Sequence, residues 1–123
     1  MQFVVHGHHL ELTESLKERC RLHIYERVEK LVDDSAARLE IELTDQFGAK
    51  SRSGDMGCRI DLRVPGHAPI HVDEVRPNMH EAIDLAADRL IEALRRSIEK
   101  KEAARRRAPG GRLAAGAAEP DAE

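Results

Sequence analysis

A long apolar stripe near the C-terminal end restricts the fold of this chain more than any other feature. The segment from Asn78 to about Arg107 contains neither Gly nor Pro, and Asn78 is a suitable N-cap. Its large apolar residues recur at spacings of three and four, which is typical of one face of an α-helix. The pattern predicts a long helix that covers a core with Met79, Ile83, Ala86, Leu90, Leu94 and Ile98.

A second helical pattern lies near the start of the chain. It follows a β-branched run from Gln2 to His6, which predicts a first strand that Gly7 ends. Thr13 is a good N-cap. Apolar residues then recur at spacings of four, four, four and three, at Leu16, Cys20, Ile24, Val28 and Leu31. We expect an amphipathic helix from Thr13 to Val32.

Three further segments alternate between apolar and polar residues, which predicts strands with one buried and one wet face. They are Arg38 to Phe47, Cys58 to Val64 and Ile70 to Asp73, with a loop from Gly48 to Gly57. The order βαβββα predicts an α+β fold: a four-stranded mixed sheet with two helices packed on one face. Short connections favour an antiparallel meander for the last three strands, with the first strand parallel to one of them.

The length of 123 residues suits a single domain, which we place at residues 1–107. Residues 108–123 lack a period and large apolar residues, so we expect a disordered tail. The sequence has no apolar run near 18 residues and no signal at its start, so we expect a soluble cytoplasmic protein that does not contact membranes. Cys20 and Cys58 have apolar neighbours, which favours buried thiols over a disulfide or redox pair.

The charges are distributed unevenly along the chain. Residues 1–88 carry 11 Lys/Arg and 17 Asp/Glu, whereas residues 89–107 carry 8 and 3. On a helix, four of these basic residues fall within roughly 40° of one another, namely Arg89, Arg96, Lys100 and Arg107. Arg105-Arg106-Arg107 extends the positive segment. The stripe fits either a solvated helix face or an anionic partner.

The histidines raise the question of a metal site or a catalytic group. His6, His8 and His9 could bind Zn²⁺ or Cu²⁺ in a metal-responsive or protein-interaction module, or they could simply be exposed at a strand end. His71 and Asp73 could pair on a wet strand face. No nucleophile elbow, P-loop or dinucleotide fingerprint is present, so we expect no enzyme activity, no cofactor and no small-molecule substrate.

Several motifs resemble those of the ribosome hibernation factors, a family that includes the ribosome-associated inhibitor and is also called the sigma-54 modulation proteins. They are Gly7-His8-His9-Leu10-Glu11-Leu12-Thr13, Val64-Pro65-Gly66 followed by Ile70-His71-Val72-Asp73, and Asn78-Met79-His80-Glu81-Ala82-Ile83-Asp84-Leu85-Ala86-Ala87-Asp88-Arg89-Leu90. Asn78 and His80 replace the usual Asp and Tyr of the family. The first helix holds one extra residue between Ile24 and Val28.

The resemblance implies a translation inhibitor that binds the small ribosomal subunit in the channel for messenger and transfer RNA during stress or stationary phase. The implied partner is 16S rRNA, with contacts through Lys17, Arg27, Lys30, Arg89, Arg95, Arg96, Lys100 and Lys101. The family has a long form that pairs two ribosomes. From the length we expect the short form, monomeric when free and closer to the member that leaves ribosomes as inactive monomers.

Overall fold

The computed structural model of the protein describes residues 1–45 and 55–107. The predicted tail, most of the predicted loop and the end of the second predicted strand lie outside the described residues. The elements are β1 (Gln2–His8), α1 (Glu14–Cys20), a π-helical turn (Arg21–Tyr25), α2 (Glu26–Leu31), β2 (Arg38–Asp45), β3 (Met56–Arg63), β4 (Ile70–Arg76) and α3 (Met79–Arg107). Since α1, the π-helical turn and α2 follow one another without a break, we call them together the joined helix.

The four strands form one mixed sheet in the order β1-β2-β3-β4. β1 runs parallel to β2, while the β2–β3 and β3–β4 pairs are antiparallel. The joined helix provides the crossover that a parallel β1–β2 pair requires. The predicted α+β fold, its meander and its parallel first strand are confirmed.

Strand β1 is longer than predicted, and the expectation that Gly7 ends it is wrong. Gly7 pairs with Leu43 in the parallel ladder, and His8 follows it as the last residue of the strand. The backbone turns only at His9, whose φ is 60°. A Cβ on Gly7 would lie 3.2 Å from the carbonyl oxygen of Leu10. The small size of Gly7 is therefore explained by the close approach of the Leu10 backbone, and not by the end of the strand.

Both long helical segments begin with side-chain caps at the predicted residues. The Thr13 hydroxyl accepts a hydrogen bond from the Leu16 backbone N–H at 3.2 Å. The Asn78 side-chain oxygen accepts from the N–H groups of His80 at 2.8 Å and Glu81 at 3.3 Å. These bonds satisfy N–H groups that have no partner within a helix.

The π-helical turn explains how the first apolar stripe stays on the core. Residues four apart are displaced by about 40° around an α-helix, so three such spacings in a row would move the stripe off the core. The Glu26 N–H donates to the Arg21 carbonyl, five residues back, which adds one residue to this turn. Cys20, Ile24 and Val28 are all 0% exposed. The expected amphipathic helix is therefore present, but it is π-helical rather than α-helical over Arg21–Tyr25.

The core lies between the helices and one face of the sheet. In β2 and β3 the buried residues alternate with wet ones, and α3 and the joined helix cover the buried side. Leu90 and Leu94 of α3 are fully buried. Cys20 and Cys58 are buried free thiols, as predicted, and burial raises the pKa of Cys20 to about 12.

The stripe of α3 gives a direct test of this packing. Leu90→Ala should lower the free energy of unfolding by about 2–5 kcal/mol, because it removes buried contacts and leaves a cavity. Urea denaturation followed by circular dichroism measures the change. Arg95→Ala, at an exposed position of the same helix, should change it by less than about 0.5 kcal/mol. Equal effects of the two substitutions would contradict this account of the core.

Candidate nucleic-acid interface

Ion pairs connect the joined helix to α3 on the sides where the two helices face each other. Arg19 pairs with Asp84, His23 lies 3.7 Å from the same carboxylate, and Arg27 pairs with Asp88. Partners further along one helix lie further along the other, so the two helices run in the same direction. Their C-terminal ends are therefore at the same end of the molecule.

The Arg19–Asp84 pair is the best formed of these contacts. The Arg19 guanidinium donates from Nε at 3.2 Å and from Nη2 at 2.6 Å to the two carboxylate oxygens. These hydrogen bonds hold the pKa of Asp84 below its ordinary value and raise that of Arg19. A two-point guanidinium–carboxylate contact fixes orientation as well as distance. The pair holds the N-terminal half of the joined helix against α3.

Five of the eight predicted RNA-binding residues already have a partner inside the protein. Arg27 Nη1 lies 2.9 Å from Asp88, and Arg89 Nε lies 2.7 Å from Glu74 of β4. Arg96 lies 3.7 Å from Glu92, and Lys17 lies 3.6 Å from Glu14. The Lys101 ammonium donates to the backbone carbonyl of Gly66. We call Arg27, Arg89, Arg96, Lys17 and Lys101 the engaged cations.

The other three predicted residues form what we call the open cations: Lys30, Arg95 and Lys100. All three are exposed, and none has an acidic side chain within 4 Å among residues 1–45 and 55–107. Lys30 lies at the C-terminal end of α2, and Arg95 and Lys100 lie in the C-terminal half of α3. The structure thus divides the eight predicted residues into cations with a partner inside the protein and cations without one.

Two further open positions, Arg105 and Arg106, were missed by the residue-by-residue comparison with the family. Both are exposed and have no acidic partner in the described part of the chain. Their position in the positive segment of residues 89–107 was the available signal. They belong to the same end of the molecule as the open cations.

The C-terminal end of α3 projects beyond the sheet. The helix has 29 residues, or about 43 Å, whereas strands of eight residues span about 26 Å. Leu94 is its last fully buried residue, and Ile98 is half-buried. From Glu99 to Arg106 every residue except Ala103 is exposed. The projecting turns thus carry cations outward from the rigid domain.

The turn after β3 braces the base of this projection. His67 Nδ1 lies 3.0 Å from the Ser97 hydroxyl, and Lys101 reaches Gly66 beside it. Burial, with the charge of Lys101, lowers the pKa of His67. This Ser–His contact has no acidic partner within the described residues, so it lacks the third group of a catalytic triad. We interpret it as a structural brace, which the 30-residue separation hid from sequence analysis.

A shallow groove lies between α2 and α3, level with the C-terminal end of the joined helix and the middle of α3. Its lining includes three arginines, two acidic residues and two apolar residues: Arg27, Arg89, Arg95, Asp88, Glu92, Leu85 and Ile91. The structure therefore brings three of the predicted residues to one place. Lys17, at the opposite end of the joined helix, is not among them.

The wet face of the sheet is a lattice of ion pairs rather than a metal centre. His8 lies 2.6 Å from Glu42, and His6 lies 3.8 Å from Glu40. His71 contacts Asp61 across the strands at 2.5 Å, so the predicted His71–Asp73 pair is wrong. Asp73 lies instead 3.6 Å from the guanidinium of Arg59, the residue opposite it in the ladder. Opposite charges on neighbouring strands pair in this way without any catalytic role.

Two further features are absent from the described part of the chain. Across residues 1–45 and 55–107, no three His, Cys, Asp or Glu side chains are placed so that they could share a metal ion. Among the same described residues, no helix combines the length and apolar character needed to cross a bilayer.

Comparison with known proteins places the chain in a family. The family model described as Sigma 54 modulation protein / S30EA ribosomal protein matches residues 3–102. No curated protein sequence matches the chain. The N-terminal domain of Protein Y from Thermus thermophilus is 22% identical, with a TM-score of 0.63 over 78% of this chain and 98% of that one. A ribosomal subunit interface protein from Coxiella burnetii is 13% identical, with a TM-score of 0.61 over 78% and 96%. These likenesses show a shared fold.

The Arg19–Asp84 pair predicts a pH-dependent contribution to stability. Asp84→Asn should lower the free energy of unfolding at pH 7 by less than about 1 kcal/mol, because the pair is partly exposed and screened. The folded-state pKa of Asp84 is depressed, so this stabilisation is present above about pH 4 and is lost as the pH falls below it. Urea titrations should show a smaller difference between the two proteins at pH 2.5 than at pH 7. An equal difference at pH 2.5 would contradict the electrostatic origin.

Proposed function

Because the chain belongs to the Sigma 54 modulation protein / S30EA ribosomal protein family, we propose that it binds the small ribosomal subunit and inhibits translation. The proposed site is the channel used by messenger and transfer RNA, and the proposed occasion is stress or stationary phase. The partner is then 16S rRNA. In this proposal the protein is cytoplasmic, monomeric when free and acts by binding alone, without catalysis or a small-molecule substrate.

The observation that supports this proposal most directly is the position of the open cations. Lys30 lies at the C-terminal end of α2, and Arg95 and Lys100 follow in the C-terminal half of α3. Arg105 and Arg106 extend the same charge along the projecting helix. Phosphate groups of RNA bind Lys and Arg and release condensed counterions. A cation without an internal partner gives its full charge to this contact. In this proposal the polyanion next to this surface is rRNA.

The engaged cations contribute less in this proposal. Arg89 and Arg96 must exchange Glu74 and Glu92 for a phosphate, or must share their donors between both. The carboxylate that remains also repels the phosphate. Sequence alone weighted Arg89 and Lys100 equally, whereas the ion pairs rank Lys100 above Arg89.

The alternative of a metal-responsive module has no observation in its favour. His6 and His8 each face a carboxylate of β2, and cross-strand pairing accounts for their positions.

The small number of aromatic residues bears on the kind of RNA contact. Phe3, Phe47 and Tyr25 are the only Phe, Tyr or Trp residues in the sequence. Recognition through backbone charge and shape needs no aromatic stacking platform.

Co-sedimentation tests the proposal itself. The purified protein should travel with isolated small ribosomal subunits through a sucrose gradient at low salt and should dissociate as the salt rises, because binding releases counterions. Large subunits under the same conditions are the control. Protein that remains at the top of a low-salt gradient containing small subunits would contradict the proposal.

The ranking of the cations is tested by two triple variants with the same net charge. Replacing Lys30, Arg95 and Lys100 with Gln removes the open cations, whereas replacing Lys17, Arg89 and Arg96 with Gln removes three engaged ones. The first variant should lose about 3 kcal/mol of binding to small subunits, at about 1 kcal/mol per charge-assisted contact. The second should lose clearly less.

The salt dependence provides a second readout for the same pair of variants. Loss of three phosphate contacts should reduce the slope of log K against log salt by about 2–3. Thermal unfolding checks that both variants remain folded. Equal losses of affinity in the two variants would contradict the ranking, although not the binding itself.

A further inference from the structure

We propose that Asp88 competes with an RNA phosphate for Arg27 and so sets the affinity of the groove between α2 and α3. This inference rests on the proposed function, because it assigns a regulating residue to the same RNA-binding site. Its ligand is a single backbone phosphate group. Asp88 acts here as a positioning residue, since it works through Arg27 and repels the phosphate rather than binding it.

The geometry of the Arg27–Asp88 pair suits exchange. Arg27 Nη1 donates to Asp88 Oδ1 at 2.9 Å, and this is the one hydrogen bond between these two side chains. Asp88 is 69% exposed and Arg27 is 38% exposed. The neighbouring Arg19–Asp84 pair, by contrast, has two hydrogen bonds and is less exposed. Of these two guanidinium–carboxylate pairs, Arg27–Asp88 is the one that solvent and ligands reach more readily.

The surroundings of this pair already provide a place for an anion. Arg27, Arg89 and Arg95 all line the groove, and Arg95 is open. A phosphate can therefore bind at Arg95 before any internal ion pair breaks. Arg27 then changes its partner from Asp88 to the phosphate, one ion pair replacing another.

The relative strengths of the two contacts make Asp88 a competitor rather than a block. An exposed ion pair is weak, since water and salt screen it. A guanidinium–phosphate contact is charge-assisted and matches the geometry of the fork. Arg27 can therefore exchange Asp88 for the phosphate. Breaking the Arg27–Asp88 pair costs free energy, however, and this lowers the affinity of the groove for the phosphate. A substitution that removes the Asp88 charge should therefore raise the affinity of the groove for the phosphate.

Glu99 provides a matched control for the change in charge. It lies 11 residues after Asp88 on the same helix, so the two positions differ by only about 20° around the axis. Glu99 is exposed and has no ion-pair partner in the described ranges of the chain. Asp88→Asn and Glu99→Gln thus remove the same charge from the same face, and only the former frees an arginine.

The test is a double-mutant cycle with fluorescence anisotropy of labelled protein on isolated small ribosomal subunits at fixed low salt. Relative to Glu99→Gln, Asp88→Asn should tighten binding by a further two- to fivefold, which is about the range of one exposed ion pair. In the Arg27→Ala background this excess should disappear, so that both substitutions have the same effect. Arg27→Gln replaces Arg27→Ala if circular dichroism shows that the latter is unfolded.

The outcomes separate this inference from the proposed function. Binding of the wild-type protein without any excess for Asp88→Asn overturns the competition and leaves the proposed function intact. An excess that persists in the Arg27→Ala background also overturns it, because Asp88 then acts without Arg27. Failure of the wild-type protein to bind small subunits overturns both.

Discussion

The structure depends on the burial of one apolar sheet face under two helices. β2 and β3 turn Leu39, Ile41, Ile60 and Leu62 toward the same side, and all four are at most 1% exposed. Such a face is stable only when other apolar residues cover it. Leu90 and the rest of the α3 stripe provide one half of that cover, and the joined helix provides the other.

This cover also determines which charges remain available. Both helices pack on the same face of the sheet and run in the same direction, so they lie side by side. Acidic residues of α3, notably Asp84 and Asp88, then meet Arg19 and Arg27 of the joined helix. The open cations lie C-terminal to these pairs on both helices. The distribution of free positive charge is thus a consequence of the core packing.

Much of the fold could be predicted from the sequence, because periodicity reports directly on which side of an element is buried. The alternation in β2 and β3 and the stripe from Met79 to Ile98 indicated the sheet face and the long helix correctly. The π-helical turn was harder, since the spacing of four between Cys20, Ile24 and Val28 also occurs in ordinary helices. Only the hydrogen bond from Glu26 to Arg21 reveals it.

The candidate site was less predictable, because tertiary ion pairs decide its character. Arg89 and Lys100 fall on one helical face in sequence, yet Glu74 of β4 approaches Arg89 and not Lys100. Glu74 and Arg89 are 15 residues apart on different elements, so no periodicity links them. His71 pairs with Asp61 rather than Asp73 for a similar reason: the partner is fixed by strand register. The sequence shows which residues are charged, but the packing of the elements determines which of those charges are paired.

Cryo-electron microscopy of the protein bound to the small ribosomal subunit tests the central claim most directly. The account predicts that the C-terminal ends of α2 and α3 face rRNA, with Lys30, Arg95 and Lys100 within hydrogen-bonding distance of phosphate oxygens. It also predicts that the wet face of the sheet lies away from the RNA backbone. A complex in which that wet face, with its paired histidines and carboxylates, contacts the rRNA while the open cations face solvent would contradict the account.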